Sequence, residues 1–263
     1  MDLQLTKKIA LVTGSTAGIG NAIATSLARE GATVIINGRK PAAVEKAVAA
    51  MQADTQGDII GFAGDLSVAG DAEALVRAHP VVDILVNNLG MFEVRPFEQI
   101  SDDHWRRFFD VNVLSGARLS RLYLPAMRRK NWGRIIFISS ESGYQIPAEM
   151  IHYGMTKAAQ IAVARGLAET TVGTGITVNS VLPGPTHSRG VEHFIAKMAK
   201  DAGKSAQAVE SEFFKTGRPT SLLQRFATPA EVAAMVTYVA SPLSSATNGA
   251  ALRVDGGTVK SAF

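Results

Sequence analysis

Short apolar runs alternate with segments of helical periodicity along most of the chain. The apolar runs are rich in β-branched residues, which is typical of strands buried on both faces of a parallel sheet. They lie at 9–12, 33–36, 59–63, 84–86, 135–138 and 177–181, with a last run at 251–254. Apolar residues recur at helical spacing at 21–30, 42–53, 72–78, 103–129 and 152–171, and a further helix is expected from Pro229. The alternation predicts an α/β fold with a doubly wound parallel sheet and helices on both faces.

The alternation of strand and helix changes after Pro183. The stretch "PGPTHSRG" at 183–190 interrupts the periodicity, and a mixed polar and apolar helical segment follows it. We predict one domain over residues 1–263, in which residues 185–225 form a helical insertion that covers the substrate site. We place the insertion over the carboxyl ends of the strands, where open α/β sheets bind their ligands.

Composition narrows the possible classes of protein. The chain has 263 residues, of which 46% are hydrophobic, a net charge of +4 and no cysteine. Its length is sufficient for a substantial core, and without cysteine neither disulfides nor thiolate chemistry are possible. No apolar run approaches the ~20 residues that cross a bilayer, and the N-terminus lacks the apolar segment of a signal peptide. We therefore expect a cytoplasmic protein that has no membrane partner.

The densest basic run, at 128–130, does not predict a nucleic-acid site. It lies at the end of a predicted helix, where cations interact favourably with the helix dipole. The aromatic residues are not interleaved with the basic ones, as they are in many nucleic-acid-binding surfaces. We expect neither a nucleic-acid partner nor a bound metal.

A glycine-rich turn joins the first predicted strand to the first predicted helix. In "VTGSTAGIGNAIA" the glycines are Gly14, Gly18 and Gly20. A pyrophosphate binds to backbone N–H groups at a helix N-terminus, and a Cβ at these positions would hold it away. Because the turn is the first strand-to-helix junction of an alternating chain, it predicts a dinucleotide site.

Tyr153 and Lys157 lie four residues apart in a predicted helix and so project from one face. Ser140 follows a predicted strand at its carboxyl end, and strand alternation directs Ser139 away from the same site. An amphipathic helix with a half-buried tyrosine and a solvated lysine would show the same spacing. An acid–base site is the alternative: a lysine charge ~4 Å away, at an effective dielectric of ~20, contributes ~4 kcal/mol. We therefore expect Lys157 to lower the Tyr153 pKa towards neutrality, where a general acid–base works best.

The stretch "TGSTAGIG" resembles the T-G-x-x-x-G-I-G signature of the short-chain dehydrogenase/reductase family, in its compact form of about 250 residues. Further motifs follow in the order of that family over essentially the whole chain, although Leu89 stands where alanine is usual. The resemblance, which extends to 3-oxoacyl-acyl-carrier-protein reductase-like members, implies a Rossmann-like fold. It also implies an NAD(P)(H)-dependent oxidoreductase that interconverts a carbonyl and a secondary alcohol. The motifs are Asp65-Leu66, Asn87-Asn88-Leu89-Gly90, Asn112, Ser140, Tyr153, Lys157, Pro183-Gly184 and Val254-Asp255-Gly256-Gly257.

The resemblance also implies roles for individual residues. Tyr153 would be the general acid–base, Ser140 would steady the substrate oxygen, and Lys157 would also bind the nicotinamide ribose. Asn112 would hold a water in a proton relay to Lys157, and Asp65 would bind the adenine amine. Cofactor contacts are expected at Gly14, Ser15, Thr16, Gly18, Ile19, Gly20, Arg39, Asp65, Leu66, Asn88, Gly90, Tyr153, Lys157, Pro183, Gly184 and Thr186.

The end of the second predicted strand, "IINGRK", bears on the choice of cofactor. NAD-dependent enzymes place an acidic residue here for the ribose hydroxyls, whereas an arginine suits the 2′-phosphate of NADP. Gly38 occupies the acidic position and Arg39 follows it. We predict NADP(H). NAD(H) stays an alternative, because a surface arginine at the start of a helix gives the same pattern.

The predicted substrate pocket is mostly apolar. No cationic residue stands out as an anchor for a carboxylate, although His187 and Arg189 lie on a nearby loop. A small-molecule or acyl-carrier-linked carbonyl is the expected substrate. An NAD(H)-preferring sugar, steroid or other alcohol dehydrogenase and a non-catalytic dinucleotide sensor are the alternatives. The candidate pocket residues are Met91, Phe92, Gln145, Ile146, Met150, Pro183, Phe194 and Met198. The resemblance implies a homotetramer or dimer that packs through helices 103–129 and 152–171.

Overall fold

The computed structural model describes residues 1–262, except for the side chains of Arg189, His193, Phe194 and Lys197. In this part of the chain, seven strands form one parallel sheet in the order β3-β2-β1-β4-β5-β6-β7. The predicted doubly wound sheet is thereby confirmed. The strands are β1 (Ile9–Val12), β2 (Thr33–Gly38), β3 (Ile59–Ala63), β4 (Ile84–Asn87), β5 (Gly133–Ile138), β6 (Ile176–Pro183) and β7 (Ala251–Val254).

Helices cover both faces of the sheet. Along β2, Val34 and Ile36 pack into the core on one face, whereas Ile35 packs into the core on the other. The first core also contains side chains of α1, α2 and α9, and the second those of α3, α5 and α6. The helices are α1 (Gly18–Arg29), α2 (Pro41–Thr55), α3 (Ala69–Ala78), α4 (Asp102–Phe109), α5 (Ser115–Lys130), α6 (Ile151–Glu169), α7 (Arg189–Ala202), α8 (Ala206–Thr216) and α9 (Pro229–Ala240).

The single helix predicted over 103–129 is interrupted. A π-helical turn, Asp110–Leu114, separates α4 from α5. Such a turn takes up extra residues without breaking the helix and is frequent at functional sites. The prediction of one regular helix is therefore wrong at this point, and the turn places Asn112 in the interior of the protein.

The predicted insertion contains α7 and α8. The hydroxyls of Ser188 and Ser205 accept hydrogen bonds from the first turns of these helices and cap them. The two helices pack around a small apolar cluster of their own, which is separate from the cores of the sheet. The cluster comprises Ile195, Ala199, Val209, Phe214 and Phe226. Among residues 1–262, none of the helices has both the length and the apolar character to cross a membrane.

Candidate active site

The strand order reverses between β1 and β4, and the loops that follow these two strands lie side by side. Asn88 Nδ2 donates to Thr13 O at 2.9 Å and to Gly14 O at 3.1 Å, so the amide ties the loops together. Gly14 and Gly18 have φ angles of +61° and +60°, in the left-handed region that favours glycine. A Cβ at Gly20 would collide with Asn88 Nδ2 and lie 2.8 Å from Gly14 O. These glycines therefore let the loop fold tightly against β4.

The N-terminus of α1 opens onto this reversal. Ala17 precedes the helix and provides no side-chain cap, and the first turn contains no acidic residue. The first-turn N–H groups are therefore left to bind another acceptor, and the helix dipole favours an anion there. The residues present fit a dinucleotide pyrophosphate, which Gly18, Ile19 and Gly20 would hold through backbone N–H groups.

Ser15, a predicted cofactor contact, is instead bonded within the protein. Its hydroxyl donates to Val12 O at 2.6 Å, and its backbone N–H donates to Asn37 O at 2.9 Å. The structure thus leaves Ser15 no free donor for a cofactor. Thr16 packs against the end of β2, where a Cβ at Gly38 would lie 2.6 Å from its methyl group.

Arg39 and Asp65 line a second cavity of about 680 Å³, beyond the carboxyl ends of β2 and β3. Arg39 is exposed, and Asp65 Oδ1 accepts hydrogen bonds from Ser67 N and Ser67 Oγ at 3.1 and 2.6 Å. Leu66 is buried in the core, so only its backbone can meet a cofactor. The structure therefore groups Arg39 and Asp65 at one end of the crevice and directs the Leu66 side chain away from it.

A larger cavity of about 720 Å³ lies over the carboxyl ends of the central strands. The structure does not bring Gln145 and Ile146 to its wall: both are exposed, and Ile146 lies against Gly154 on the surface of α6. The Phe194 side chain lies outside the described residues. Predicted residues on the wall are Ile19, Asn88, Gly90, Met91, Phe92, Ser140, Met150, Tyr153, Lys157, Pro183, Gly184, Thr186 and Met198.

Lys157 extends from α6 into the protein interior at this cavity. Its Nζ donates to Ile138 O at 2.8 Å and to Gln160 Oε1 at 3.1 Å. The same nitrogen lies 5.6 Å from the centre of the Tyr153 ring. The spacing of four residues thus places both side chains on one face of α6, and only 5% of Lys157 is exposed.

Ser140 follows β5 and meets Tyr153. The Ser140 side chain lies close enough to the Tyr153 phenol to lower its pKa, and Ser140 Oγ accepts a hydrogen bond from Ser142 N at 3.1 Å. Ser139 also borders the cavity, but its hydroxyl donates to Lys157 O at 2.8 Å. Ser140, Tyr153 and Lys157 therefore share the wall of one cavity.

The Asn112 side chain is fully engaged with neighbouring groups. Its Nδ2 donates to Met91 O at 3.0 Å and to Thr156 Oγ1 at 2.9 Å, and its Oδ1 accepts from Met91 N at 2.8 Å. Its main-chain oxygen accepts from Gln160 Nε2 at 2.6 Å. Gln160 therefore connects Asn112 to Lys157, a role that the sequence analysis missed, although Gln160 lies three residues after Lys157 in the same helix.

Burial is the largest cause of the pKa shifts of Tyr153 and Lys157, which both lie on α6. It raises the pKa of Tyr153 to about 12 and lowers the pKa of Lys157 to about 7. The neighbouring Ser140 hydroxyl opposes the rise in the Tyr153 pKa but does not cancel it. The expectation that a lysine charge brings the phenol to neutrality is wrong for the chain alone, because the ammonium is itself desolvated.

An ion pair that the sequence analysis did not predict lies on the wall of the larger cavity. Arg218 Nε donates to Glu141 Oε1 at 3.0 Å, and the two side chains are only 11% and 5% exposed. No periodicity marks Arg218, since it comes 77 residues after Glu141. His187 lies 3.4 Å from Glu192 and 3.6 Å from Glu210, with nearly half of its side chain exposed.

Residues 8–199 match the family model described as short chain dehydrogenase, which is well over half of the chain. The chain is 48% identical over 264 residues to YvaG, an uncharacterized oxidoreductase of Bacillus subtilis, covering 100% of both proteins. It is 34% identical over 260 residues to a D-beta-hydroxybutyrate dehydrogenase of Cupriavidus necator, covering 97% of this chain and 99% of that protein.

Solved structures show the same fold. The L-sorbose reductase of Gluconobacter frateurii, in complex with NADPH and L-sorbose, superposes with a TM-score of 0.94 at 28% sequence identity. The similarity covers 99% of this chain and 100% of that one. Together, these similarities identify the chain as an NAD(P)-dependent dehydrogenase or reductase.

Proposed function

The chain belongs to the short-chain dehydrogenase family, and from this premise we propose that it reduces a ketone to a secondary alcohol with NADPH. One observation carries the proposal: the side chains of Ser140 and Tyr153 share a cavity wall with Lys157 and Gly90. A proton donor, a second hydroxyl and an amine thus lie beside the loops that fit a dinucleotide. This is the set of groups that carbonyl reduction requires.

A bound NADPH would supply the hydride that the carbonyl carbon accepts. Tyr153 donates its phenolic proton to the oxygen that becomes the alcohol, and the Ser140 hydroxyl donates a hydrogen bond to the same oxygen. With its pKa raised, the phenol remains protonated at neutral pH and is therefore ready to act as an acid. Lys157 would hold the nicotinamide ribose of the bound cofactor.

The Lys157 amine, which Gln160 holds in place, would return a proton to the phenol after each reduction. A base with a pKa of about 7 exchanges protons readily at neutral pH, and the Lys157 amine meets this condition. Lys157 donates a hydrogen bond to Gln160, and Gln160 donates one to the Asn112 carbonyl. These contacts connect the amine to the π-helical turn. A water held at Asn112, as the family resemblance implies, would complete the relay.

Screening NADPH oxidation against ketones, aldehydes and 3-oxoacyl thioesters tests the proposed reaction. We expect turnover with a ketone of small or medium size, since the cavity of about 720 Å³ has a mostly apolar wall. The solved L-sorbose reductase contains a small ketose, which supports a substrate of this size. Preferential turnover of the 3-oxoacyl thioesters would instead indicate an acyl-carrier-linked substrate. Tight NADPH binding without oxidation by any of these classes would support a dinucleotide sensor instead.

Arg39 is expected to select NADPH over NADH. It is exposed at the end of β2, follows Gly38 where an acidic residue would repel a phosphate, and shares a cavity with Asp65. Fluorescence titration should show tighter binding of NADPH, by about tenfold or more for a charge-assisted contact of 1.5–3 kcal/mol. Arg39→Ala should remove most of this difference. Lys40→Ala, which deletes the adjacent exposed cation, should leave it in place, and equal affinities in the unmutated protein would overturn the assignment.

We also expect a dimer or tetramer at micromolar concentration, as the family resemblance implies. Phe109 and Leu114 are exposed apolar residues at the junction of α4 and α5, within the segment predicted to form the interface. Sedimentation analysis measures the assembly directly, and a monomer at that concentration would contradict the prediction. Leu114→Glu should shift the distribution towards smaller species, because it places a charge in the buried contact.

A further inference from the structure

Two carboxylates face one guanidinium on the wall of the large cavity. Arg218 pairs with Glu141, which directly follows Ser140, and Arg218 Nη1 lies 3.6 Å from Glu149 Oε1. All three residues line the cavity that contains Tyr153. The group carries one more carboxylate than guanidinium, and most of the surrounding wall is apolar. It is therefore a polar subsite, within reach of a molecule that has its carbonyl at Ser140.

The hydrogen-bonding capacity of this group is only partly used. Glu141 Oε2 is buried out of reach of the cavity and accepts no hydrogen bond from the described part of the chain, so Glu141 contributes by holding Arg218 through Oε1. Arg218 uses Nε for Glu141 and Nη1 for Gly217 O at 2.7 Å, and among the described groups of the chain Nη2 has no acceptor. The Glu149 carboxylate is half exposed and too far from Arg218 for a hydrogen bond. Unpaired polar groups in a largely apolar cavity are unfavourable, so a polar ligand group would stabilise them.

The chemistry of the three side chains discriminates among ligand groups. A hydroxyl both donates and accepts, so it can donate to a Glu149 oxygen and accept from Arg218 Nη2 together. A ligand carboxylate can only accept, and it would be repelled by Glu141 and Glu149. A plain alkyl group satisfies none of the free donors and acceptors. An uncharged, hydroxyl-bearing molecule therefore fits better than either a keto acid or a simple ketone.

We propose that Glu141, Glu149 and Arg218 form a hydroxyl-binding subsite, and that the substrate is an uncharged hydroxyketone with its hydroxyl close to the reacting carbonyl. The proposal rests on the carbonyl reduction assigned above to Ser140 and Tyr153. It goes beyond that assignment because it names the substrate class and the side chains that select it.

Three ketones of equal chain length test the subsite: 3-hydroxybutan-2-one, butan-2-one and 2-oxobutanoate. We expect kcat/KM with NADPH to be highest for the hydroxyketone and at least tenfold lower for each of the others, because a hydrogen bond to a charged group contributes that factor or more. Glu149→Gln keeps the shape of the side chain and removes its charge. This change should raise the kcat/KM ratio of 2-oxobutanoate to 3-hydroxybutan-2-one by about tenfold.

Two further variants separate recognition from structure. Arg218→Lys retains the cation but loses Nη2, so it should raise the KM for 3-hydroxybutan-2-one more than that for butan-2-one. Glu212→Gln alters another carboxylate on the cavity wall, one that is paired with Lys204, and should leave the substrate ratios unchanged. If Glu149→Gln and Arg218→Lys reduce kcat/KM equally for all three ketones, the ion pair is purely structural and the subsite is refuted.

Equilibrium binding to the NADPH-loaded protein separates failure of the subsite from failure of the reaction. The hydroxyketone should bind at least tenfold more tightly than butan-2-one, and Glu149→Gln should reduce this difference. That result without turnover would support the subsite and count against the proposed reduction. Equal binding of the two ketones would refute the subsite whether or not either is reduced.

Discussion

Tyr153→Phe is expected to lower kcat by about 10²- to 10⁴-fold, the range typical of a lost general acid–base. Phenylalanine keeps the ring, which packs edge-on against Phe92 with 6.3 Å between ring centroids. It deletes only the hydroxyl, which lies on the same cavity wall as Ser140 and would protonate the new alcohol. Because the packing is retained, we expect the variant to fold normally and to bind NADPH with little change.

Steady-state kinetics with the substrate found by screening, together with NADPH titration, measure these effects. Tyr144→Phe is the matched control, since Tyr144 is exposed on the loop between β5 and α6 and loses the same hydroxyl. Its kcat should equal that of the unmutated protein. A folded Tyr153→Phe protein that binds NADPH and turns over at the unmutated rate would refute the role assigned to Tyr153.

The raised pKa of Tyr153 also sets an expectation for the pH profile of reduction. Burial raises this pKa to about 12, so the phenol holds its proton throughout the neutral range. Ionisation of Tyr153 should therefore not reduce the rate below about pH 10, in contrast to a phenol titrated near neutrality. A lower pKa would require a charged ammonium beside the phenol, whereas burial lowers the pKa of Lys157 itself to about 7.

The periodic features of the sequence predicted most of the fold. β1, β3 and β7 begin and end where the apolar runs do, and α9 begins at Pro229 as expected. Along β2, Val34 and Ile36 point to one face of the sheet and Ile35 points to the other. Because all three are apolar, the sequence predicted that both faces of this strand are buried. Ser140 could be placed because it follows the carboxyl end of a predicted strand. Tyr153 and Lys157 could be placed because residues four apart lie on one face of a helix.

Features that depend on distant contacts could not be predicted in this way. The π-helical turn at 110–114 carries no periodic signal, because its apolar residues fit an α-helix equally well. The Glu141–Arg218 pair joins the loop after β5 to the end of α8, and no local pattern places α8 over the cavity. The direction of the Tyr153 pKa shift depends on burial, which spacing along a helix does not reveal.

Lys157→Met is expected to remove a pH-dependent part of the folding stability as well as turnover. Burial lowers the Lys157 pKa from 10.5 to about 7. Below pH 7 the amine is charged in both the folded and the unfolded chain. Between the two values the unfolded chain binds the proton and the folded chain does not, so the free energy of unfolding rises with pH. Each pKa unit corresponds to about 1.4 kcal/mol, which predicts a rise of a few kcal/mol from pH 7 to about 9.5.

Urea unfolding of the cofactor-free protein at several pH values measures this rise, which should be absent in Lys157→Met. The variant also leaves Ile138 O and Gln160 Oε1 without their donor. Each unpaired group lowers the free energy of unfolding by about 1–3 kcal/mol at every pH. The test therefore compares how the free energy of unfolding changes with pH and not its absolute value. Lys46→Met, on the exposed face of α2, is the control and should keep the slope of the unmutated protein. An unchanged slope in Lys157→Met would show that the amine is not desolvated. If Lys157→Met loses both turnover and the pH dependence of the free energy of unfolding, then the buried amine that the reaction uses also makes the folded chain less stable below pH 7.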